Sequence, residues 1–217
     1  MINWDNISTV FLDMDGTLLD LHFDNHFWLE HVPKRYAQAH HVSVAQAKDQ
    51  LFPKMLALRG KLQWYCTDFW SKELDLPIIE LKREVSHLIR LRNNTSTFLA
   101  ALRAADKEII LFTNAHEHTV KLKMEKTGLA SAFDKTITSH SLGVAKETSN
   151  AWEAMSEHHA FQAERSLFID DNFSVLDCAK KAGIGYLFGI EKPDSKGDKL
   201  THEHYVLLKN FNQIMPV

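Results

Sequence analysis

Cysteine is scarce in this chain of 217 residues, which has only Cys66 and Cys178, far apart in the sequence. Two cysteines so placed indicate neither a disulfide framework nor a zinc cluster. Long apolar runs are also lacking, and residues 1–20 do not combine a basic segment with an apolar run and a cleavage site. We therefore expect a soluble, cytoplasmic protein with no membrane partner.

The chain also lacks a concentrated patch of Lys and Arg, and its formal net charge is −3. This argues against the basic surface that binds a nucleic-acid polymer. The sequence has no internal repeat and no low-complexity tract. Its content of 45% hydrophobic and 24% charged residues is ordinary for a globular protein. This composition predicts one large domain or a domain with an insert, and it predicts no particular oligomeric state.

The most informative stretch is an apolar run that ends in Asp13 and Asp15 and continues with Gly16-Thr17. Alternate residues of a strand share a face and Gly16 lets the chain turn, so both carboxylates are expected at the carboxyl end of a strand. Open α/β sheets place their chemistry there. Close carboxylates repel each other unless a cation lies between them, so the motif predicts a divalent metal site. A solvated turn is the alternative, because Asp and Gly are common in turns.

Residues 21–93 are predicted to form an all-helical insert. Ser43 and Gln46 have the spacing of a capping box, and Pro77 suits a first helical turn. Apolar residues recur with a helical period in four segments, near 23–40, 43–60, 66–75 and 78–92.

From Asn94 onward, strand patterns alternate with helix patterns, which predicts a doubly wound parallel sheet. After the first strand, which leads to Asp13, the predicted strands are 108–113, 135–138, 165–170 and 185–188. The predicted helices are 95–105, 117–127, 149–159 and 175–182, the first of them capped by Thr95 or Ser96. Residues 191–204 are expected to be a polar loop, and the segment after them is undecided between strand and helix. The predicted fold class is therefore α/β, with a core domain of residues 1–20 and 94–217 interrupted by the helical domain 21–93.

Polar side chains follow three of the predicted strands, and a lysine lies in the loop between two of them. These residues are Asp13, Asp15, Thr113, Asn114, Lys146, Asp170 and Asp171. Thr113 and Asn114 offer a hydroxyl and an amide donor just before a helix, whose N-terminus favours an anion. The second acidic pair can complete a shell of oxygen ligands for Mg²⁺. Taken singly these residues are typical of a cap, a solvated lysine and a turn, but in this order they predict one phosphate site with a metal.

This set resembles the four motifs of the haloacid dehalogenase-like phosphohydrolases, which are DxDGT, a strand-end Thr, a Lys and paired acids. The resemblance covers essentially the whole chain, and it implies a Rossmann-like core with the helical insert as a cap. It narrows to the purine nucleotidase branch of that superfamily. The narrower likeness rests on residues 12–21, Phe23-Asp24-Asn25, Phe27-Trp28, Trp64-Tyr65-Cys66, Asp68, Trp70-Ser71 and 113–116. Val144-Ala145 precedes Lys146, where that branch has an aromatic residue and a proline.

The resemblance implies Mg²⁺-dependent hydrolysis of a phosphate monoester through an aspartyl-phosphate. The implied substrate is a small molecule, a purine nucleoside 5′-monophosphate such as GMP or IMP. Asp13 is then the nucleophile and Asp15 the general acid and base. The implied metal ligands are Asp13, the Asp15 backbone carbonyl and Asp170, with Asp171 in a supporting role as holder of the metal's water or of Lys146. The implied ligands of the phosphoryl group are Thr113, the Asn114 backbone N–H and Lys146.

The helical insert is rich in aromatic residues, on which a purine could stack. Phe23, Trp64 and Tyr65 are the candidates for base selection, and the alternative is that they belong to the insert's own core. His116 and His118 either face the substrate or begin a surface helix. The alternative functions are a phosphatase for a sugar phosphate or phosphoglycolate, a phosphomutase, and a non-catalytic binding module.

Overall fold

The computed structural model describes residues 2–216, and at its centre is a parallel sheet of six strands in the order β3-β2-β1-β4-β5-β6. The strands are β1 Thr9–Leu12, β2 Glu108–Thr113, β3 Lys135–Thr138, β4 Ser166–Ile169, β5 Tyr186–Ile190 and β6 Val206–Leu208. All five pairings between neighbours are parallel. The predicted α/β class with a doubly wound parallel sheet is confirmed.

Strand β1 lies in the middle of the sheet and is buried along its whole length. Its Val10 is in register with Ile109 of β2 on one side and with Leu167 of β4 on the other. A strand that is covered on both faces must be apolar throughout, which explains the run before Asp13. The strand order reverses direction at β1, and in sheets of this kind the carboxyl ends at the reversal open into a crevice.

Helices cover both faces of the sheet, and apolar side chains fill the space between them in two clusters. The helices of this region are α7 Thr95–Ala104, α8 Glu117–Thr127, α9 Ser139–Leu142, α10 Ala151–His158 and α11 Phe173–Lys181. Gly128 ends α8 in the left-handed conformation with a φ of 70°, as its position in the sequence predicts. We call residues 2–20 and 90–216 the sheet region.

Residues 22–88, which we call the helical segment, contain no strand. Its α-helices are α1 His22–His26, α2 Val32–His40, α3 Val44–Leu58, α4 Leu62–Tyr65, α5 Thr67–Leu74 and α6 Ile78–Glu84. A π-helical turn at Phe27–His31 joins α1 to α2. Pro33, the second residue of α2, has no N–H to donate to the preceding turn, which is a common cause of such an irregularity. The helices pack around an apolar cluster of their own that includes Phe27, Trp70 and Leu81.

Three predicted details of the helices change in the structure. The helix predicted over 78–92 ends at Glu84 and is followed by a short 3₁₀ turn at Ser86–Leu88. The residues after this turn pair instead with the segment at residues 18–20, which leads from the sheet region into the helical segment. There the Asp20 N–H donates to the Arg90 C=O at 2.9 Å. Helix α7 begins at Thr95 without a side-chain cap, because the Thr95 hydroxyl donates to Leu18 C=O at 3.0 Å. Pro77 stands one residue before its helix, at the N-cap.

The predicted capping box of α3 is present, with the Gln46 N–H donating to the Ser43 hydroxyl at 3.2 Å. The undecided C-terminal segment contains the short strand β6 and a 3₁₀ turn at Phe211–Ile214. Within residues 2–216, no helix has the length and apolar character that crossing a membrane requires.

Candidate active site

A cavity of about 640 Å³ lies between the carboxyl ends of β1, β2 and β4 and the helical segment. We call its sheet side the catalytic wall, which consists of Asp13, Asp15, Thr113, Asn114, Lys146, Asp170 and Asp171. We call its other side the helical wall, which includes Trp28, Leu29, Phe52, Leu56, Arg59 and Trp64. The polar residues predicted from the sequence to form one site thus line one cavity.

Lys146 is buried and holds two carboxylates of the catalytic wall together. Its Nζ donates to Asp13 Oδ1 at 2.5 Å, to Asp170 Oδ2 at 2.6 Å and to the Phe112 carbonyl at 3.2 Å. Burial by itself lowers the pKa of Lys146, but the charges of Asp13 and Asp170 outweigh burial and raise this pKa above its ordinary value. The lysine is therefore a permanent positive charge in the cavity. Asp171, which the resemblance offered as a possible support for Lys146, is not among its hydrogen-bond partners.

The acids of the catalytic wall suit a divalent cation. Carboxylate oxygens of Asp13, Asp170 and Asp171 lie within 4.8 Å of one another. Burial is the largest cause of a raised pKa at Asp170, Lys146 opposes it and Asp13 adds to it, so that the pKa reaches about 7. Burial and the charges of Asp13 and Asp170 likewise hold the pKa of Asp171 well above its ordinary value. The second oxygen of Asp13 is buried without a hydrogen-bond partner among the described residues. Hard oxygen ligands with uncompensated charge are the set that Mg²⁺ prefers, so these residues fit that ion.

Gly16 is required where the chain turns away from β1. Its φ is +89°, a conformation that side chains with a Cβ adopt rarely. A Cβ at this position would also lie 2.5 Å from Asp171 Oδ2, closer than contact allows. Glycine therefore permits both the turn after Asp15 and the close approach of the second acidic pair.

Asp15 takes part in a chain of charges that links the two walls, in which the lysines are buried and the carboxylates are partly exposed. Lys123 of α8 donates to Asp15 Oδ1 at 2.5 Å and to Asp24 Oδ2 at 2.6 Å. Lys82 of α6 donates to the other oxygen of Asp24 at 3.0 Å. Burial raises the pKa of Asp15 to about 6 although Lys123 acts against it. Asp24 keeps a pKa of about 2, because its two lysines outweigh its burial.

The side chain of Asn114 is committed to the loops around it. Its Oδ1 accepts from the Ser139 hydroxyl at 2.5 Å and from the Lys146 N–H at 2.9 Å. Its Nδ2 donates to Glu147 Oε2 at 2.9 Å. The Asn114 side chain therefore holds the lysine loop in place, and the binding of a phosphoryl group by Asn114 stays a prediction. Thr113, whose hydroxyl accepts from the Ala115 N–H at 3.1 Å, ends β2 at the cavity.

Glu147 joins three parts of the site. It accepts hydrogen bonds from Asn114, from Asn172 at 3.1 Å and from the Tyr65 hydroxyl. Tyr65 belongs to the helical segment, whereas the other partners lie at the ends of β2 and β4. This carboxylate therefore fixes the helical segment against the loops that carry the catalytic wall.

The three residues predicted to select a base occupy different places. Trp64 and Tyr65 line the cavity, although the hydroxyl of Tyr65 is engaged by Glu147. Phe23 is buried at 1% exposure and packs in the core of the helical segment against Phe27, with ring centroids 6.4 Å apart. Among the described residues Phe23 does not line the cavity, which agrees with the alternative that it belongs to the insert's core, and its ring lies beneath Lys82 and Lys123. His116 is buried and lines the cavity, whereas His118 is half exposed and does not.

The model of the haloacid dehalogenase-like hydrolase family matches residues 7–183 of the chain. This chain belongs to the haloacid dehalogenase-like hydrolases. The membership agrees with the geometry, because the four motifs of that family meet at one cavity. The predicted family and the prediction of an enzyme are confirmed.

Relatives with known names agree with this hydrolase family. The chain is 39% identical over 215 residues to the GMP/IMP nucleotidase YrfG of Escherichia coli K12, covering 99% of this chain and 97% of the relative. The same values hold for the protein of that name in Shigella flexneri. Among solved structures, the haloacid dehalogenase phosphatase of Thermococcus onnurineus superposes with a TM-score of 0.76 at 21% identity over 93% of each chain. The magnesium-bound putative hydrolase YfnB of Bacillus subtilis superposes with a TM-score of 0.64 at 16% identity over 96% of each chain. At these identities the two structures show the shared fold.

Two features of this haloacid dehalogenase-like hydrolase were not predicted from its sequence. The first is the burial of Lys82 and Lys123, which the helical spacing of the sequence could have indicated. Lys82 falls on the apolar face made by Ile78, Leu81 and Val85, and Lys123 falls on the buried face of α8. A charged residue on an apolar face needs a buried partner, which is the observation that could have identified both. The second is the set of hydrogen bonds that Glu147 accepts. Nothing in the sequence indicated it, because the partners of Glu147 come from distant parts of the chain.

Proposed function

We propose that this chain is a Mg²⁺-dependent phosphomonoesterase that forms an aspartyl-phosphate and hydrolyses purine nucleoside 5′-monophosphates. The observation that carries the proposal is the buried group Asp13–Lys146–Asp170 at the carboxyl ends of β1 and β4, open to one cavity with Asp15. The near full-length likeness to the GMP/IMP nucleotidases supports the substrate class.

Asp13 is the proposed nucleophile. A carboxylate oxygen forms a bond to phosphorus while the bond from phosphorus to the nucleoside O5′ breaks, which divides a difficult displacement into two steps. Lys146 holds Asp13 in place and, with Thr113 and the Asn114 backbone N–H, offsets negative charge on the transferring phosphoryl group. Asp13, the Asp15 carbonyl and Asp170, with support from Asp171, would hold Mg²⁺, which would supply Lewis acidity toward phosphate oxygens.

Asp15 is the proposed general acid and base. It gives a proton to O5′ as the nucleoside leaves, and it then takes a proton from the water that attacks the phospho-aspartate. Free phosphate leaves and Asp13 is restored. Asp15 is held at the cavity by Lys123, which also contacts Asp24 of the helical segment. We propose that the helical segment acts as the cap domain, so that its position over the site is coupled to the acid.

The helical wall suits a purine base. Trp28 and Trp64 provide rings for stacking, and Arg59 on the same wall provides paired donors. Guanine and hypoxanthine present O6 and N7 as two neighbouring acceptors, whereas adenine presents an amino group in place of O6. We therefore propose a preference for GMP and IMP over AMP.

The test is phosphate release from GMP, IMP, AMP, a pyrimidine monophosphate and several sugar phosphates, with Mg²⁺ and with a chelator. We expect Mg²⁺-dependent release that is fastest for GMP and IMP and absent with the chelator. Faster release from a sugar phosphate would keep the catalytic proposal and overturn the substrate class. A folded, Mg²⁺-loaded protein that releases no phosphate from any of these would favour the phosphomutase or the binding module.

A further inference from the structure

Three metal-ligating side chains meet at the edge of the cavity, outside the catalytic wall. They are Cys66, His116 and His140, and one possible ligand atom of each lies within 4.8 Å of the other two. Cys66 precedes α5 of the helical segment, His116 precedes α8, and His140 belongs to α9. The group therefore spans the junction between the helical segment and the sheet region.

His140 provides an independent sign of a missing partner. Both of its ring nitrogens are buried and have no hydrogen-bond partner within the described part of the chain. A buried polar group without a partner costs free energy, and native structures seldom contain one that no ligand or water satisfies. The His140 ring packs edge-on against His116, with centroids 4.7 Å apart and planes at 79°. The unpartnered imidazole of His140 therefore lies in contact with a second imidazole, that of His116.

A hydrogen bond orients one of the two imidazoles. The Thr67 hydroxyl lies 3.0 Å from His116 Nδ1 and fixes the orientation of that ring. Partners of this kind orient histidine ligands in metal sites.

We propose that Cys66, His116 and His140 bind one Zn²⁺ ion at this junction. One thiolate and two imidazoles form a borderline-soft ligand set, which selects Zn²⁺ over the Mg²⁺ that the carboxylates of the catalytic wall prefer. Three protein ligands leave a fourth tetrahedral position for water. The ion would connect a ligand of the helical segment to two ligands of the sheet region.

A second set of possible metal ligands also includes His116, and an experiment must distinguish it from the first set. Ligand atoms of Asp68, His116 and His118 also lie within 4.8 Å of one another, but Asp68 and His118 are exposed. No thiol belongs to that group, so a thiolate signal distinguishes the two. The chain also offers a matched control, because its other cysteine, Cys178, lies elsewhere and donates to the Glu147 carbonyl.

The experiment titrates the full-length protein with Co²⁺ in the presence of excess Mg²⁺, which occupies the carboxylates. We expect one Co²⁺ per chain, a near-ultraviolet absorption from thiolate-to-cobalt charge transfer, and loss of that absorption when Zn²⁺ is added. Cys66→Ser should abolish the absorption, and Cys178→Ser should keep it. Serine preserves the N-cap that the Cys66 sulfur now forms with the Phe69 N–H at 3.4 Å, so the variant is expected to fold.

Histidine variants then locate the other ligands. His140→Ala should weaken Zn²⁺ binding by roughly 100-fold or more, whereas His118→Ala should leave it unchanged. No thiolate absorption in the wild-type protein, or an absorption lost in Cys178→Ser and kept in Cys66→Ser, would overturn the proposal. Binding lost in His118→Ala and kept in His140→Ala would assign the ion to the exposed group instead. If His140→Ala does not fold, the two cysteine variants decide.

Discussion

The two walls of the cavity differ in what they bury. On the catalytic wall Asp13, Lys146 and Asp170 are only 5%, 2% and 1% exposed, although all three carry ionisable groups. On the helical wall Leu29 and Leu56 are 48% and 68% exposed, although both are apolar. The catalytic wall thus buries ionisable residues, which are usually exposed, and the helical wall exposes leucines, which are usually buried.

The difference shows how chemistry and selection are divided. A buried charge is tolerated only when its partners are in place, so each residue of the catalytic wall depends on the others. Exposed apolar side chains depend on no fixed partner and gain from contact with a ligand. We infer that substitutions on the catalytic wall affect turnover and stability together, whereas those on the helical wall change the choice of substrate.

The largest effect is expected for Asp13→Asn. The variant keeps the shape of the side chain and removes the nucleophile, so kcat should fall on the order of 10⁴-fold or more. Steady-state phosphate release from GMP measures this loss. The matched control is Asp49→Asn at an exposed position of α3, which should keep wild-type turnover. Near wild-type turnover in Asp13→Asn would contradict the covalent mechanism.

Lys146→Met should come next. It leaves Asp13 and Asp170 buried without their shared cation, so the free energy of unfolding should fall by roughly 3–5 kcal/mol in a chelator. Denaturant titration measures this change. The double variant Lys146→Met/Asp170→Asn removes one of the orphaned charges and should recover part of the stability. If the single variant were as stable as the wild type, the buried ion pairs would not control the catalytic wall.

Lys123→Met tests the charge chain between the walls. Lys123 is buried and compensates the partly exposed Asp15 and Asp24, so loss of the lysine should cost about 3 kcal/mol of stability and also lower kcat. Lys121→Met, at an exposed position of the same helix, should change stability by less than about 0.5 kcal/mol. If the two substitutions changed the stability equally in thermal or denaturant unfolding, the stabilising role of Lys123 between Asp15 and Asp24 would be contradicted.

The smallest effect is expected on the helical wall. Trp64→Ala removes a ring from the cavity, and the ratio of kcat/KM for GMP to that for a pyrimidine monophosphate should fall about three- to tenfold, the value of one stacking contact. Phe23→Leu, in the core beneath the cavity, should lower stability and leave the ratio unchanged. A ratio that moves with Phe23 and not with Trp64 would reverse this assignment.

The fold and the catalytic wall were largely predictable because their signals are local. The apolar run before Asp13, the Thr at the end of β2 and the acids after β4 each lie at a strand end, and parallel strands bring such ends to one edge. The helix predicted over 78–92 was too long, because the last residues of that range form backbone hydrogen bonds with residues 18–20. Helical period does not register a backbone pairing between segments that are distant in sequence.

The amino-acid sequence by itself determined which residues carry the chemistry and in what order they follow strands, since periodicity and motif spacing depend on neighbours along the chain. Tertiary structure alone decided that Phe23 is core and Trp64 is cavity, and that Lys123 compensates Asp15. It also decided that Cys66, in a chain whose cysteines predict no metal cluster, lies beside His116 and His140. Burial, pairing of charges and the meeting of ligands are relations between distant segments, and they exist only once the chain has folded.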